Sequence, residues 1–202
     1  MKRTAQWERK TRETHIRGSL SLDGKCVCSI ETPIGFLTHM LESFAKHGRF
    51  DLSFKAEGDL NVDQHHLVED CGLVLGKLFI LALGDKRGIN RTGFFVYPMD
   101  EALAVVAVDF GGRPYLQYAV TFLRRFCGDL DSDLLHDFFQ AFSSQSQSNL
   151  VVRMPYGRSD HHKIEAIFKA FGKALRMACS KDRQDIADIP STKGVIDDDR
   201  DC

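Results

Sequence analysis

Two short segments set imidazoles beside a carboxylate at helical spacing: His65-His66-Leu67-Val68-Glu69 and, 96 residues later, His161-His162-Lys163-Ile164-Glu165. The echo runs past them, since Leu75-Gly76-Lys77 returns as Phe171-Gly172-Lys173 and Ala82 as Ala178 at the same offset. Each segment also has a histidine upstream, His39 at 26 residues before His65 and His136 at 25 before His161. Six of the eight histidines occupy repeat-related places, and only His15 and His47 stand outside. Chance does not reproduce spacing in this way, so the pattern reads as a duplicated metal site.

Adjacent side chains on a helix point about 100° apart, whereas residues i and i+4 share a face. His65 and His66 therefore cannot easily serve one ion, although either can lie near Glu69; the same holds for His161, His162 and Glu165. Six imidazoles and two carboxylates divide into three and one for each of two ions. A ligand set without cysteine suits a borderline-to-hard first-row ion such as Mn²⁺, Fe²⁺ or Zn²⁺. An octahedral ion held by four side chains keeps two positions for substrate and water, which marks a catalytic rather than a structural site. Sharing ligands among several helices also allows sites that form between subunits.

Other residues carry chemistry with a plainer reading beside it. Pro190-Ser191-Thr192-Lys193-Gly194 combines hydroxyls, an ammonium and a flexible glycine, enough to clamp a phosphate or simply to end the chain. Arg91 and Arg113 are either anion ligands or strand-end arginines. Lys169 lies four residues past Glu165, where an ion pair on one helix face is the plain explanation. Glu13, ahead of the first expected strand, is either a general base or a solvated acid. His47 either caps its helix or contacts substrate. Asp100 and Glu101 stand at a strand start, and nothing in the sequence marks them further.

The elements that must position these groups follow from periodicity. Residues 14–22 alternate and end in Asp23-Gly24, a hairpin signal that predicts pairing with 26–31. Residues 36–46 have helical periodicity closed by Gly48, 50–56 alternate as a strand, and Gly58-Asp59 makes a turn. A helix is expected from about 64 to 83. The second half repeats the order, with strands over 102–108 and 115–120 bracketing Gly111-Gly112-Arg113-Pro114. A helix over 131–142 is capped by Asp131, a polar loop covers 143–148, a strand covers 150–154, and a last long helix covers 160–179. An acidic, frayed tail is expected at 197–202. Each half thus reads ββαβα, a sheet with two amphipathic helices on one face, in a pseudo-twofold α+β domain. Its parts are a first repeat over about 12–85, a second over about 91–180, and a C-terminal tail over 181–202.

The bulk properties narrow the partners. With 27 basic and 28 acidic side chains the net charge is −1, which gives no reason to expect nucleic acid or an anionic membrane. The longest apolar run, within 73–83, is broken by Gly76 and Lys77 and falls short of a membrane span. The first residues lack the apolar stretch of a secretory signal. Six cysteines without a CxxC spacing suit reduced, unpaired thiols in the cytoplasm.

With these motifs assembled, the chain resembles the imidazoleglycerol-phosphate dehydratase family of histidine biosynthesis over about residues 12–196. The segments that carry the resemblance include Glu13-Thr14, Ile34-Gly35-Phe36-Leu37-Thr38-His39-Met40-Leu41, Gly58-Asp59-Leu60, both histidine pairs, Pro98-Met99-Asp100-Glu101-Ala102-Leu103, Arg113-Pro114 and the Pro190–Gly194 stretch. The resemblance implies an α+β fold of internally duplicated ββαβα half-domains (ribosomal protein S5 domain 2-like). It also implies two Mn²⁺ ions per active site and a homo-oligomer, a 24-mer with inter-subunit active sites. All eight family ligand positions are filled, by His39, His65, His66, Glu69, His136, His161, His162 and Glu165. The family pattern gives one ion His65, Glu69, His136 and His161, and the other His39, His66, His162 and Glu165, from different subunits. Arg91, Arg113, Lys169, Ser191 and Lys193 match phosphate-binding positions, with His47 nearby, and Glu13 matches an acid that moves protons. The resemblance thereby implies that the C-terminal tail over 181–202 is substrate-binding. The family's pattern differs at Thr38, Ser43, Gln64, Val151 and Ser159, none of them a ligand.

The activity implied is a carbon–oxygen hydro-lyase that converts D-erythro-imidazole-glycerol phosphate to imidazole-acetol phosphate. Two ions on the ring nitrogens would hold a metal-bound imidazolate able to expel the neighbouring hydroxyl. The remaining carbon–hydrogen bond then turns acidic toward a base such as Glu13. His65 and Glu165 join Glu13 as expected catalytic residues. Two other readings compete: a dinuclear metallohydrolase, which would be expected to rely more on carboxylates, and a catalytically impaired family member acting as a metal-binding shell protein.

Overall fold

The computed structural model describes residues 3–181 and 188–196; the expected acidic tail at 197–202 lies outside the described residues. The first half comprises β1 (Thr4–Lys10), β2 (Thr14–Ser21), β3 (Cys28–Glu31), α1 (Gly35–Gly48), β4 (Asp51–Gly58) and α2 (His65–Leu83). The second comprises β5 (Thr92–Met99), β6 (Ala102–Asp109), β7 (Tyr115–Ala119), a hairpin of β8 (Phe126–Cys127) and β9 (Leu130–Asp131), α3 (Leu134–Ser146), β10 (Asn149–Tyr156) and α4 (Asp160–Cys179). The duplication is visible in the topology. One sheet has the order β1-β2-β4-β3 and the other β5-β6-β10-β7. The main sheet of each half therefore has one strand more than the ββαβα reading, β1 and β5, and the second half adds the β8–β9 hairpin.

The expected hairpin at Asp23-Gly24 does not form. β2 instead lies between β1 and β4, antiparallel to both, and β3 sits at the far edge, parallel to β4. The cause is local: the Asp51 carboxylate accepts the amides of Lys25 (2.7 Å) and Val27 (2.8 Å), drawing the connection across to β4. The second half makes the same crossing, with β7 parallel to β10. Residues 111–114 thus start a crossover, not a turn between paired neighbours.

Alternation puts Leu52, Phe54 and Ala56 of β4, and Ala102, Ala104, Val106 and Val108 of β6, on the inner faces. Helices α2 and α4 cover most of those faces, each on the sheet of its own half. Across the halves, α1 packs on α4 and α2 on α3. The seam is phenylalanine-rich: Phe171 meets Phe142 (ring centroids 4.8 Å) and Phe44 (5.1 Å), and Phe79 meets Phe142 (5.7 Å). The buried apolar residues form one continuous core, so neither half is a separate folding unit.

Several helix ends differ from expectation. Gly48 was expected to be the left-handed stop of α1, but that role falls to Arg49 (φ 56°). Gly48 is inside the helix, where a Cβ would sit 2.2 Å from the Phe50 ring. The Asp131 cap on α3 gives way to Asp133 at the N-cap position, while Asp131 binds Arg125 (2.8 Å). The expected polar loop at 143–148 is mostly the last turn of α3. Three of its serines are buried and satisfy one another, Ser143 Oγ donating to the Ser148 carbonyl (2.6 Å) and Ser146 Oγ bonding Ser148 Oγ (2.7 Å).

The helix crossings depend on glycines that keep the repeat offset. A Cβ on Gly172 would lie 2.4 Å from the Phe44 carbonyl oxygen of α1, and one on Gly76 2.7 Å from that of Phe142 in α3. Gly172→Ala is expected to force α1 from α4 and destabilise the fold by about 1–3 kcal/mol, the usual cost of overpacking. Urea unfolding checks this, and an unmoved midpoint would mean the crossing tolerates a methyl group.

Candidate active site

The packing of α1 on α4 decides where the chemistry assembles. His39, at the start of the second turn of α1, comes to the first turns of α4, where its ring centroid lies 6.3 Å from that of His161. His161 Nε2 is 3.2 Å from Glu165 Oε2, and one donor atom each from His39, His161 and Glu165 fall within 4.8 Å of one another. Phe36 packs edge-on to the His161 ring at 5.1 Å. Burial would raise the Glu165 carboxyl, but the Lys169 ammonium at 2.8 Å and the neighbouring His39 and His161 outweigh it and hold the pKa below the usual range. The carboxylate is thus kept ionised, as a metal ligand must be.

The packing of α2 on α3 produces the counterpart. His65 Nε2 faces Glu69 at 3.9 Å, while its Nδ1 lies 3.3 Å from Asp137. Asp137 also lies 3.5 Å from Nδ1 of His136, whose ring stands edge-on to Tyr118 at 5.4 Å. Here the carboxylate between the histidines comes from α3. Within one chain the groups are therefore His39, His161 and Glu165 on one side and His65, Glu69 and His136 on the other. The resemblance draws each ion's ligands from different subunits; these groups are the ones that a single chain brings together, through the packing of α1 on α4 and α2 on α3.

The second histidine of each pair turns away from the first, with interplanar angles of 73° for His65/His66 and 90° for His161/His162. His66 Nδ1 lies 3.2 Å from Asp59 and 3.8 Å from Glu13. His162 Nδ1 lies 2.8 Å from Glu101. These carboxylates raise the pKa of both rings, and Glu101 is itself lowered to about 2, first by His162 and then by the Ser159 amide. Glu13 is thus beside a candidate ligand, half-exposed and reachable.

The other candidates divide. Lys169 sits in the His39–His161–Glu165 group and also lies over the Tyr97 ring at 5.5 Å. His47 donates Nδ1–H to the Ser43 carbonyl (2.8 Å), the capping role, while its Nε2 meets Tyr97 Oη at 3.3 Å. Arg91 makes two bonds to Asp109 (2.6 and 2.9 Å) and one to the Pro190 carbonyl (3.0 Å), tying the tail to the start of β5. Ser191 and Lys193 form a turn in which the Gly194 amide donates to the Ser191 carbonyl (2.9 Å) and the Lys193 amide to Ser191 Oγ (3.3 Å). Arg113 is exposed ahead of β7.

Sequence reasoning gave no role to Asp59, Glu101 or Asp137, nor to Arg124 and Arg158, which line a 510 Å³ cleft beside His161. Asp137 had one usable signal, its place next to His136. Positions that depart from the family pattern do local work. Ser159 accepts the His162 amide as the cap of α4 (3.4 Å), and Thr38 Oγ1 bonds Thr32 Oγ1 (3.0 Å). Gln64 bridges the Asp129 carbonyl (2.6 Å) and the Asp131 amide (3.0 Å). Asp129 in turn caps α1 through the amides of Gly35 (2.7 Å) and Phe36 (2.8 Å), supplying what Ile34 at the N-cap lacks.

The family model for imidazoleglycerol-phosphate dehydratase matches residues 32–175, the span holding all eight candidate ligands. The chain belongs to the imidazoleglycerol-phosphate dehydratase family. It is 51% identical over 194 residues to the imidazoleglycerol-phosphate dehydratase of Koribacter versatilis, covering 96% of this chain and all of that one. It is 50% identical to that of Lactiplantibacillus plantarum, again over 96% of this chain and all of the relative. Among solved structures, the dehydratase of Staphylococcus aureus subsp. aureus N315 superposes with a TM-score of 0.80 at 36% identity, covering 89% of this chain and 99% of that one. The Pyrococcus furiosus enzyme, solved in complex with (S)-C348, gives 0.81 at 33% identity over 94% and 99%. The chain is accordingly a carbon–oxygen lyase of the histidine-biosynthesis family. Among the described residues, no helix is long and apolar enough to cross a membrane.

Proposed function

We propose that this protein dehydrates D-erythro-imidazole-glycerol phosphate to imidazole-acetol phosphate using two Mn²⁺ ions per active site. The observation that carries the metal reading is the convergence of His39, His161 and Glu165 from two separate helices within 4.8 Å, with the carboxylate held ionised. Nitrogen and oxygen donors without a thiolate suit Mn²⁺. His39, His161 and Glu165 would hold one ion, and His65, Glu69 and His136 the other. His66 and His162 are left to supply the fourth ligand of each from neighbouring subunits, in keeping with a 24-subunit shell in the cytoplasm. When bound, the ions supply Lewis-acid charge toward the substrate's imidazole ring.

The chain's own groups do the rest. Glu13, 3.8 Å from His66, takes the proton from the side-chain carbon and returns it to the departing hydroxide, which leaves as water. The enol that remains tautomerises to the ketone. Arg113, Lys169, Ser191 and Lys193 bind the phosphate, and Arg91 anchors the tail that carries Ser191 and Lys193. Fixing the phosphate end orients the reacting carbons and removes freedom that would otherwise be lost in the transition state. Anaerobic addition of Mn²⁺ and substrate to metal-free protein, with detection of the ketone, tests the proposal. Metal-dependent ketone release is expected, and its absence from metal-loaded protein would exclude this activity.

A further inference from the structure

His66 and His162 are repeat partners, and each presents its Nδ1 to a carboxylate of its own chain. The carboxylates are not repeat partners. Asp59 follows β4, seven residues before His66, whereas Glu101 lies in the β5–β6 turn, 61 residues before His162. The strands keep offsets other than 96: β2 and β6 start 88 apart and β4 and β10 start 98 apart, which places Glu13 opposite Glu101 and Gly157 opposite Asp59. Glu13 lies 3.8 Å from His66 Nδ1, farther than Asp59 at 3.2 Å. The two halves share their histidines, and in both a carboxylate meets Nδ1 at hydrogen-bond distance, from the β5–β6 turn in one half and from the end of β4 in the other.

The Glu101 arrangement also carries backbone strain. Met99 and Ala102 are the last paired residues of β5 and β6, leaving Asp100-Glu101 as a two-residue turn. Asp100 adopts φ 47° at the place where such turns ordinarily put glycine. The turn sets both Glu101 oxygens to work, Oε1 on the Ser159 amide (2.7 Å) and Oε2 on His162 Nδ1 (2.8 Å).

We infer that Asp59 and Glu101 are positioning residues, each accepting Nδ1–H of its histidine so that Nε2 keeps its lone pair for the metal. The inference rests on the metal reading above. In a neutral imidazole only one nitrogen carries the proton, and the hydrogen bond to the other atom selects which. With Nδ1 occupied, the ring's orientation and its free donor are set before any ion arrives.

The test is a titration of metal-free protein with Mn²⁺, followed by the electron paramagnetic resonance of the free ion. Glu101→Ala is expected to weaken one class of sites about 10–100-fold without changing the number filled at saturation. Asp59→Ala should do the same to the other class, and the double variant should show both losses. Glu101→Gln and Asp59→Asn keep side-chain size and an acceptor oxygen, so they guard against misfolding and should lose less than the alanine variants. Wild-type affinity in Glu101→Ala, beside a lost site in His162→Ala, would overturn the inference and leave the metal reading intact. Undiminished binding in His162→Ala would instead overturn the metal reading. A site lost outright at saturation in Glu101→Ala would make Glu101 a ligand, which also overturns a positioning role.

Discussion

His161→Ala is expected to lower the rate of ketone formation at least about 10³-fold, since losing a Lewis acid that stabilises developing charge removes several kcal/mol of transition-state stabilisation. The size of the effect follows from position. His161 lies between His39 and Glu165, so its removal leaves a cluster with one imidazole and one carboxylate. Bound manganese should fall with activity, and Glu165→Gln should give the same pair of losses. His15→Ala is the matched control. His15 stands on the outer face of the first sheet, bonded to Glu8 at 2.5 Å, and its loss should leave both turnover and metal content unchanged. Turnover is followed by the ketone product and metal by elemental analysis of the purified variant. Wild-type values for both in His161→Ala would remove the cluster from the mechanism.

Asp160→Ala is expected to destabilise the fold by about 3–5 kcal/mol, the cost of leaving a buried charge without its partner. Asp160 and Lys163 are both buried, 2.8 Å apart, at the start of α4. The carboxylate also accepts the amides of Leu123 (2.9 Å) and Arg124 (2.8 Å), and the ammonium donates to the Thr121 carbonyl (3.0 Å). The pair thereby holds the 121–124 segment onto the helix that carries His161, His162 and Glu165. Adding Lys163→Met should recover much of the loss, because no unpaired charge then remains inside. Equilibrium urea unfolding of the single and double variants measures both quantities. A single variant within about 1 kcal/mol of wild type would place Lys163 in contact with water.

What could be read in advance follows from what is local. α4 was legible to the residue because its periodicity is strong and Ser159 caps it. The histidine set was legible because duplication writes its signature as an offset. β1 was not read, since Arg9 stands among its inward positions and pairs with Asp70 (2.8 Å), which breaks the alternation of apolar residues. β5 was missed for the opposite reason: Phe94, Phe95, Val96 and Tyr97 run without a polar face, and Pro98 argues against a strand. The parallel edge strands pair with partners far along the chain, so a turn signal such as Asp23-Gly24 could not place them. Asp59, Glu101 and Asp137 act through contacts that no spacing rule encodes. The grouping of the ligands required knowing which helix meets which.

That last point bears on how such a protein arose. The His39–His161–Glu165 cluster takes one histidine from one repeat and a histidine–glutamate pair from the other, and on the other side His65 and His136, from different repeats, meet one carboxylate, Asp137. An unduplicated ancestor of half the length would therefore have possessed every donor and yet no cluster, unless two copies associated symmetrically. Carrying both copies in one polypeptide makes that encounter a permanent neighbourhood. The two sides differ in what surrounds them, with Asp137 beside one and Lys169 beside the other.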